Sequence, residues 1–243
     1  MARRIDRKLA LGEELLTSIR LISAGLGQLQ ALDGTDDFYH LPILSLANGF
    51  ERFMKVALCF SELEKTGAYP SSNFIPTGSK GHDLELLLGR VTAECFRERY
   101  VSEIPAAKHD LEYLGSQELR RFIRILSNFG QKARYHDLNI VIGKNDSTES
   151  PKNEWQSLEI EIILANDWLE NSVTGSGTTD VRRKVNREVI IRLERFARAI
   201  ARLFTIGRLG SEAKSYTGYL KTFLFLMDSD LGERTYSPTG VLN

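Results

Sequence analysis

Apolar residues recur along this chain at intervals of three and four, the spacing that lays a single stripe along a helix. Leu15, Ile19, Ile22, Leu26 and Leu29 form the first stripe, and the polar turn DGTDD ends it. Gly25 and Gly27 lie off that stripe and weaken its last turns. The next segment, LPILSLANGFERFMKVALCFSELEKTG, is apolar on most sides and predicts a long helix through the middle of a bundle. Pro42 falls in its first turn, where proline is tolerated. Gly67, Pro70, Pro76 and Gly78 then mark a loop.

A third helix is expected from about His82 to Tyr100. A fourth, from about Ser116 to Tyr135, carries Leu119, Phe122, Leu126 and Phe129, with Ser116 as its N-cap. Beyond the polar run GKNDSTESPKN, the residues Trp155, Leu158, Ile162, Ala165 and Leu169 repeat the helical spacing. The linker TGSGTTD leads to the longest helix, about Thr179 to Gly210, whose seam is Val185, Val189, Leu193, Phe196, Ile200, Leu203 and Gly207. One more helix, about Ser211 to Met227, precedes a loose tail. Only Leu138 to Ile142 leaves room for a short strand. The pattern predicts an all-α fold, an antiparallel helical bundle of about six to seven helices in one domain over residues 1–243.

Charge adds one feature. Lys+Arg and Asp+Glu are balanced at 32 each, so no global field draws in nucleic acid or an anionic membrane. The last two long helices are nevertheless opposite in sign: residues 153–170 carry five acids and no Lys or Arg, and residues 178–209 carry nine bases against three acids. Pairing of these helices as a hairpin accounts for the stripe Arg192, Arg195, Arg198, Arg202; an RNA-facing patch is the other reading. Glu188–Arg192 and Glu194–Arg198 are also i,i+4 pairs.

Cys59 and Cys95 lie in apolar helical patterns and read as buried thiols of a reducing compartment. Glu13 and Glu14 interrupt the N-terminal segment where a signal peptide is apolar, and no stretch approaches the ~18 to 20 apolar residues of a membrane span. A cytoplasmic protein with no membrane contact is expected.

Three of the four histidines, His82, His109 and His136, each precede Asp-Leu. Such pairs serve as metal ligands in the all-α HD-type phosphohydrolases, and His40, His82, Asp83 and a distant Asp form the set this reading would need. The sequence context differs, since Ser-Lys-Gly before His82 reads as a helix start and no Ile/Leu-Gly-Lys follows. We therefore expect no metal and no cofactor. Asp83 and Asp110 instead read as residues near helix starts, where a carboxylate meets free N–H groups.

One combination of motifs goes further. An apolar helix bearing Glu51-x-x-x-Lys55, a loop, and then Gly-His-Asp-Leu with His82 and Asp83 opening the next helix, resembles the HEPN superfamily. KARY at 132–135 is similar to the Arg-Tyr that closes a later helix in many members. The resemblance covers about residues 9–142; residues 152–230 would be an added helical extension. It implies an antiparallel bundle that commonly dimerises. Many members are metal-independent ribonucleases of toxin–antitoxin or phage-defence systems, whose Arg-x(4–6)-His motifs meet between protomers. There His acts as general base or acid and Arg stabilises phosphate charge.

This chain lacks that signature: no histidine has an arginine five to seven positions before it. The nearest substitute is Arg134 with His136, whose side chains point ~200° apart if the segment is helical. The expectation is a dimerising binding or assembly protein, not an enzyme, with a nucleotide, RNA or a cognate protein as partner. The binding candidates are Glu51, Lys55, His82, Asp83 and Lys132. The alternative is a divergent metal-independent ribonuclease using Arg134, His136 and Asn139, supported by the basic cluster of Arg120, Arg121, Arg124, Lys132 and Arg134. An HD-type phosphohydrolase is a distant third.

Overall fold

The computed structural model describes residues 4–33, 39–131, 136–143, 150–166, 178–207 and 209–242. Among them the regular structure is helical throughout, with no strand. Six helices lie before residue 132: α1 (Arg4–Gln30), α2 (His40–Thr66), α3 (Leu84–Cys95), α4 (Glu98–Glu103), α5 (Pro105–Leu114) and α6 (Gln117–Gln131). They are followed by α7 (His136–Val141), α8 (Pro151–Ala165), α9 (Thr178–Leu203), α10 (Gly210–Lys214) and α11 (Lys221–Leu224).

The stripes read from the sequence are the buried faces. Leu15, Ile19, Ile22, Leu26 and Leu29 of α1 are buried, as are Leu119, Phe122, Leu126 and Phe129 of α6 and the α9 seam from Val185 to Leu203. Helix α2 does run through the middle, packing on α1, α3, α6, α9 and α10. Its Phe50 stacks on Phe196 with ring centroids 4.4 Å apart, and Phe53 and Phe60 both meet Phe204 just beyond α9.

The glycines that weaken the helical reading of α1 are where it packs closest. A Cβ on Gly25 would lie 2.6 Å from Leu46, and one on Gly49 of α2 would lie 2.7 Å from Ile22. The two contacts run in opposite order along the chain, so α1 and α2 are antiparallel and glycine lets their backbones approach.

Five expectations are corrected. The described residues form eleven α-helices, several of them short, and not the six to seven expected. The segment from His82 to Tyr100 is not one helix: α3 ends at Cys95 and α4 begins at Glu98. Leu138 to Ile142 is not a strand, since α7 covers most of it; its β-branched residues mimic strand composition. The helix expected from Ser211 to Met227 is broken into α10, a 3₁₀ turn at Thr217–Leu220 and α11. Nor is the tail loose. Gln28 and Gln30 of α1 donate to the carbonyls of Pro238 and Arg234, and the Tyr236 N–H donates back to Gln30. Tyr236 also donates to the fully buried Glu194 of α9 at 2.6 Å, and the Gly232 N–H donates to the same carboxylate. A Cβ on Gly27 would lie 2.6 Å from the backbone of Ser237 and Pro238. The last segment is thus strapped across α1 and α9.

A second buried tie joins the start of α2 to α8 and α9. Trp155 Nε1 and Tyr39 Oη both donate to Glu159, and Arg182 reaches the same carboxylate at 2.6 Å. Burial raises the Glu159 carboxyl above its ordinary range, against the lowering effect of Arg182. No helix among the described residues is long and apolar enough to cross a membrane.

Candidate functional site

Glu51 sits on the crowded middle helix, where a carboxylate must find partners or cost heavily in stability. It finds two. Lys55, one turn on, places Nζ 2.6 Å from Oε1. His82, on the 3₁₀ turn Gly78–His82 that precedes α3, places Nδ1 2.8 Å from Oε2. Since a carboxylate only accepts, Nδ1 carries the proton in this contact. The imidazole is about half exposed.

The motif around His82 explains its own placement. A Cβ on Gly81 would lie 2.7 Å from the Pro76 carbonyl oxygen, so the chain passes there only as glycine. Asp83 is the N-cap of α3 and accepts from the Leu86 N–H at 2.9 Å. Ser127 of α6 accepts from the Leu84 N–H and from Gln131, tying α6 to the same helix start. The Gly-His-Asp-Leu motif is therefore a corner that delivers His82 onto Glu51.

The structure thus brings Glu51, Lys55 and His82 into one hydrogen-bonded group, with Asp83 beside it as a cap. His136 and Asn139 lie elsewhere in the chain, on α7, three residues apart and so on one face of that helix. Lys132 and Arg134 lie outside the described residues. Of the remaining basic cluster, Arg121 pairs with Glu161 at 3.3 Å and Arg124 approaches Glu85 at 3.8 Å.

The His-Asp pairs have different surroundings. Asp110 is not at the start of its helix: it lies in the middle of α5, buried, and takes Arg202 Nη1 at 2.9 Å. Asp137 is exposed in the first turn of α7. Among the described residues no three His, Cys, Asp or Glu side chains group as metal ligands would. Burial pushes the Cys59 thiol up to about 11 and the Cys95 thiol up to about 12, so neither is an activated nucleophile.

The arginine stripe of α9 also departs from expectation. Arg182 bonds to α8 through Glu159. Arg192 pairs with Glu118 and Glu188, Arg198 with Asp228, and Arg202 with Asp110. Glu194 goes to Tyr236 and Gly232 instead of forming an ion pair with Arg198. Nothing in the spacing of the sequence pointed to Asp110, Tyr113 or Asp228 as partners of this stripe, because all three come from other elements. Compared with known proteins, the chain matches no family model, no curated protein and no solved structure.

Proposed function

We propose that the protein is a HEPN-like binding and assembly protein that works as a homodimer, with α7 at the contact between protomers. The observation that carries this reading is the exposure of Leu138, Ile140, Val141 and Ile142, at 54, 58, 80 and 56% respectively. Helix α7 has no buried residue, and so short a helix gains little from its own hydrogen bonds. Four aliphatic side chains within one short stretch are stabilised when a partner surface covers them. The pairing of Glu51 with both Lys55 and His82 favours a structural role for that group, because the carboxylate has a donor on each oxygen.

The test is the mass of the particle in solution across a concentration series, for wild type and for Ile140→Glu combined with Val141→Glu. The wild type is expected to be dimeric and the variant monomeric with an unchanged helical spectrum. A wild type that stays monomeric at high concentration sinks the proposal.

The second reading is a divergent ribonuclease, favoured by the shared face of His136 and Asn139. It requires RNA cleavage with EDTA present that is abolished by Arg134→Ala or His136→Ala.

A further inference from the structure

Three arginines of α9, Arg195, Arg198 and Arg202, lie at i, i+3 and i+7 and line one cleft of about 520 Å³ between α5, α9 and the strapped tail. Their states differ. Arg202 is committed, since its Nη1 donates to both Asp110 oxygens, at 2.9 and 3.1 Å. Arg198 is buried and donates to the Leu226 carbonyl and to Asp228, while its enclosed Nε finds no acceptor among the described residues. Asp228 is a solvated partner whose side chain is 89% exposed, so a stronger anion displaces it at small cost.

Arg195 has no carboxylate or carbonyl acceptor among the described residues. Its guanidinium is held 4.0 Å over the Tyr113 ring, and Tyr113 is itself fixed by donating to the Arg192 carbonyl at 2.7 Å. Stacking orients the group without using its N–H donors. Three guanidinium groups against two carboxylates leave the cleft net positive, before His109 on its rim is considered. The field reaches the edge: Arg198 first, then Arg202 and Arg195, hold the Asp228 carboxyl below its ordinary value. Ile191 and Leu231 supply an apolar wall.

We propose that this cleft binds a small phosphate-bearing ligand of mononucleotide size. The phosphate takes the open donors of Arg195 and replaces Asp228 on Arg198, and the organic part lies against Ile191 and Leu231. A phosphate offers oxygens on several sides and more charge than a carboxylate, which suits guanidinium groups converging from successive helical turns. The volume is that of ordinary small-molecule sites. The inference does not rest on the assembly reading, because binding at this cleft is measured on monomer and dimer alike.

The experiment is calorimetric titration of the full chain with AMP and with inorganic pyrophosphate, with adenosine as the uncharged control. It is run on wild type, Arg195→Ala and Asp228→Asn. The two substitutions carry opposite expectations. Arg195→Ala removes open donors and weakens binding by about tenfold or more, whereas Asp228→Asn removes the competing carboxylate and tightens it. The ratio of the two dissociation constants decides: a ratio of about ten or more upholds the site, and a smaller one overturns it. Failure of both AMP and pyrophosphate to saturate the wild type at millimolar concentration also overturns it, as does adenosine binding as tightly as AMP. Asp228 is exposed, so its variant folds even if Arg195→Ala loses stability.

Discussion

The Glu51 group and the Arg195 cleft are both built from ionisable residues on central helices, yet their donors and acceptors are balanced differently. At Glu51 one buried carboxylate meets an ammonium and an imidazole, and each oxygen has its donor. At the cleft one guanidinium is locked, one is held by a solvated carboxylate and one is merely stacked. A group whose bonds are all internal holds a structure together. A group with donors held in place and left open is prepared for something else. Charge count alone misses this, because both regions contain cations and anions in sequence.

The comparison breaks most visibly if the closed site is opened. Glu51→Ala leaves the partly buried Lys55 and the half-exposed His82 without their acceptor, and is expected to lower unfolding free energy by about 3 kcal/mol in a denaturant titration. A loss below about 1 kcal/mol would show the group to be as solvated as the cleft. Gly27→Ala is next, at about 2 kcal/mol, because its Cβ would collide with tail backbone that cannot swing aside. The same change at Gly89, in α3 with nothing within 4 Å, is expected to stabilise by up to about 1 kcal/mol through helix propensity. Thermal melts of the pair test whether the strap is tight.

Glu194→Gln sharpens the contrast through pH. Burial raises the Glu194 carboxyl above its ordinary 4.5, despite the Tyr236 hydroxyl and the Gly232 N–H. Just above 4.5 the folded chain holds a proton that the unfolded chain has released, so this carboxylate's contribution falls as pH rises through that window. Relative to the variant, the wild type should therefore gain stability as pH drops from neutral toward 4.5. A difference that does not vary with pH would falsify that assignment. The smallest effect is expected at the open site, where Asp228→Asn changes stability by less than about 0.5 kcal/mol, since this carboxylate is solvated and the asparagine amide oxygen can still accept from Arg198.

What could be read in the sequence follows from the range of each interaction. The buried stripes of α1, α6 and α9 were legible because every third or fourth residue is apolar. The N-caps Asp83 and Ser116 were legible because a cap acts within three residues; each accepts the N–H three positions on. Helix α5 carries no such stripe: among its four buried positions is Asp110, whose carboxylate is matched by Arg202 from a helix 92 residues away. Glu51 with Lys55 is an i,i+4 pair and visible as such, but His82 joins them across 31 residues and only a family motif suggested the conjunction. The pairing of α8 with α9 inferred from net charge is seen at Arg182 and Glu159, while Asp167 and Glu170 lie outside the described residues. Beyond that point the arginines are taken up by α5, α6 and the tail, which a tally of charge per helix does not register.

The strap across α1 has a consequence for how the chain is made. Gln28 and Gln30 bond to residues more than 200 positions later, and Gly27 presents bare backbone to the same segment. On the ribosome, α1 and α2 emerge together and can pair at once through Gly25 and Gly49. The far edge of α1 must wait for residues 234–238, some two hundred positions later, to arrive and cover it. Helix α1 is thus made long before it is sealed, and nascent chains should remain protease-sensitive near Gly27 until residues 234–238 have emerged.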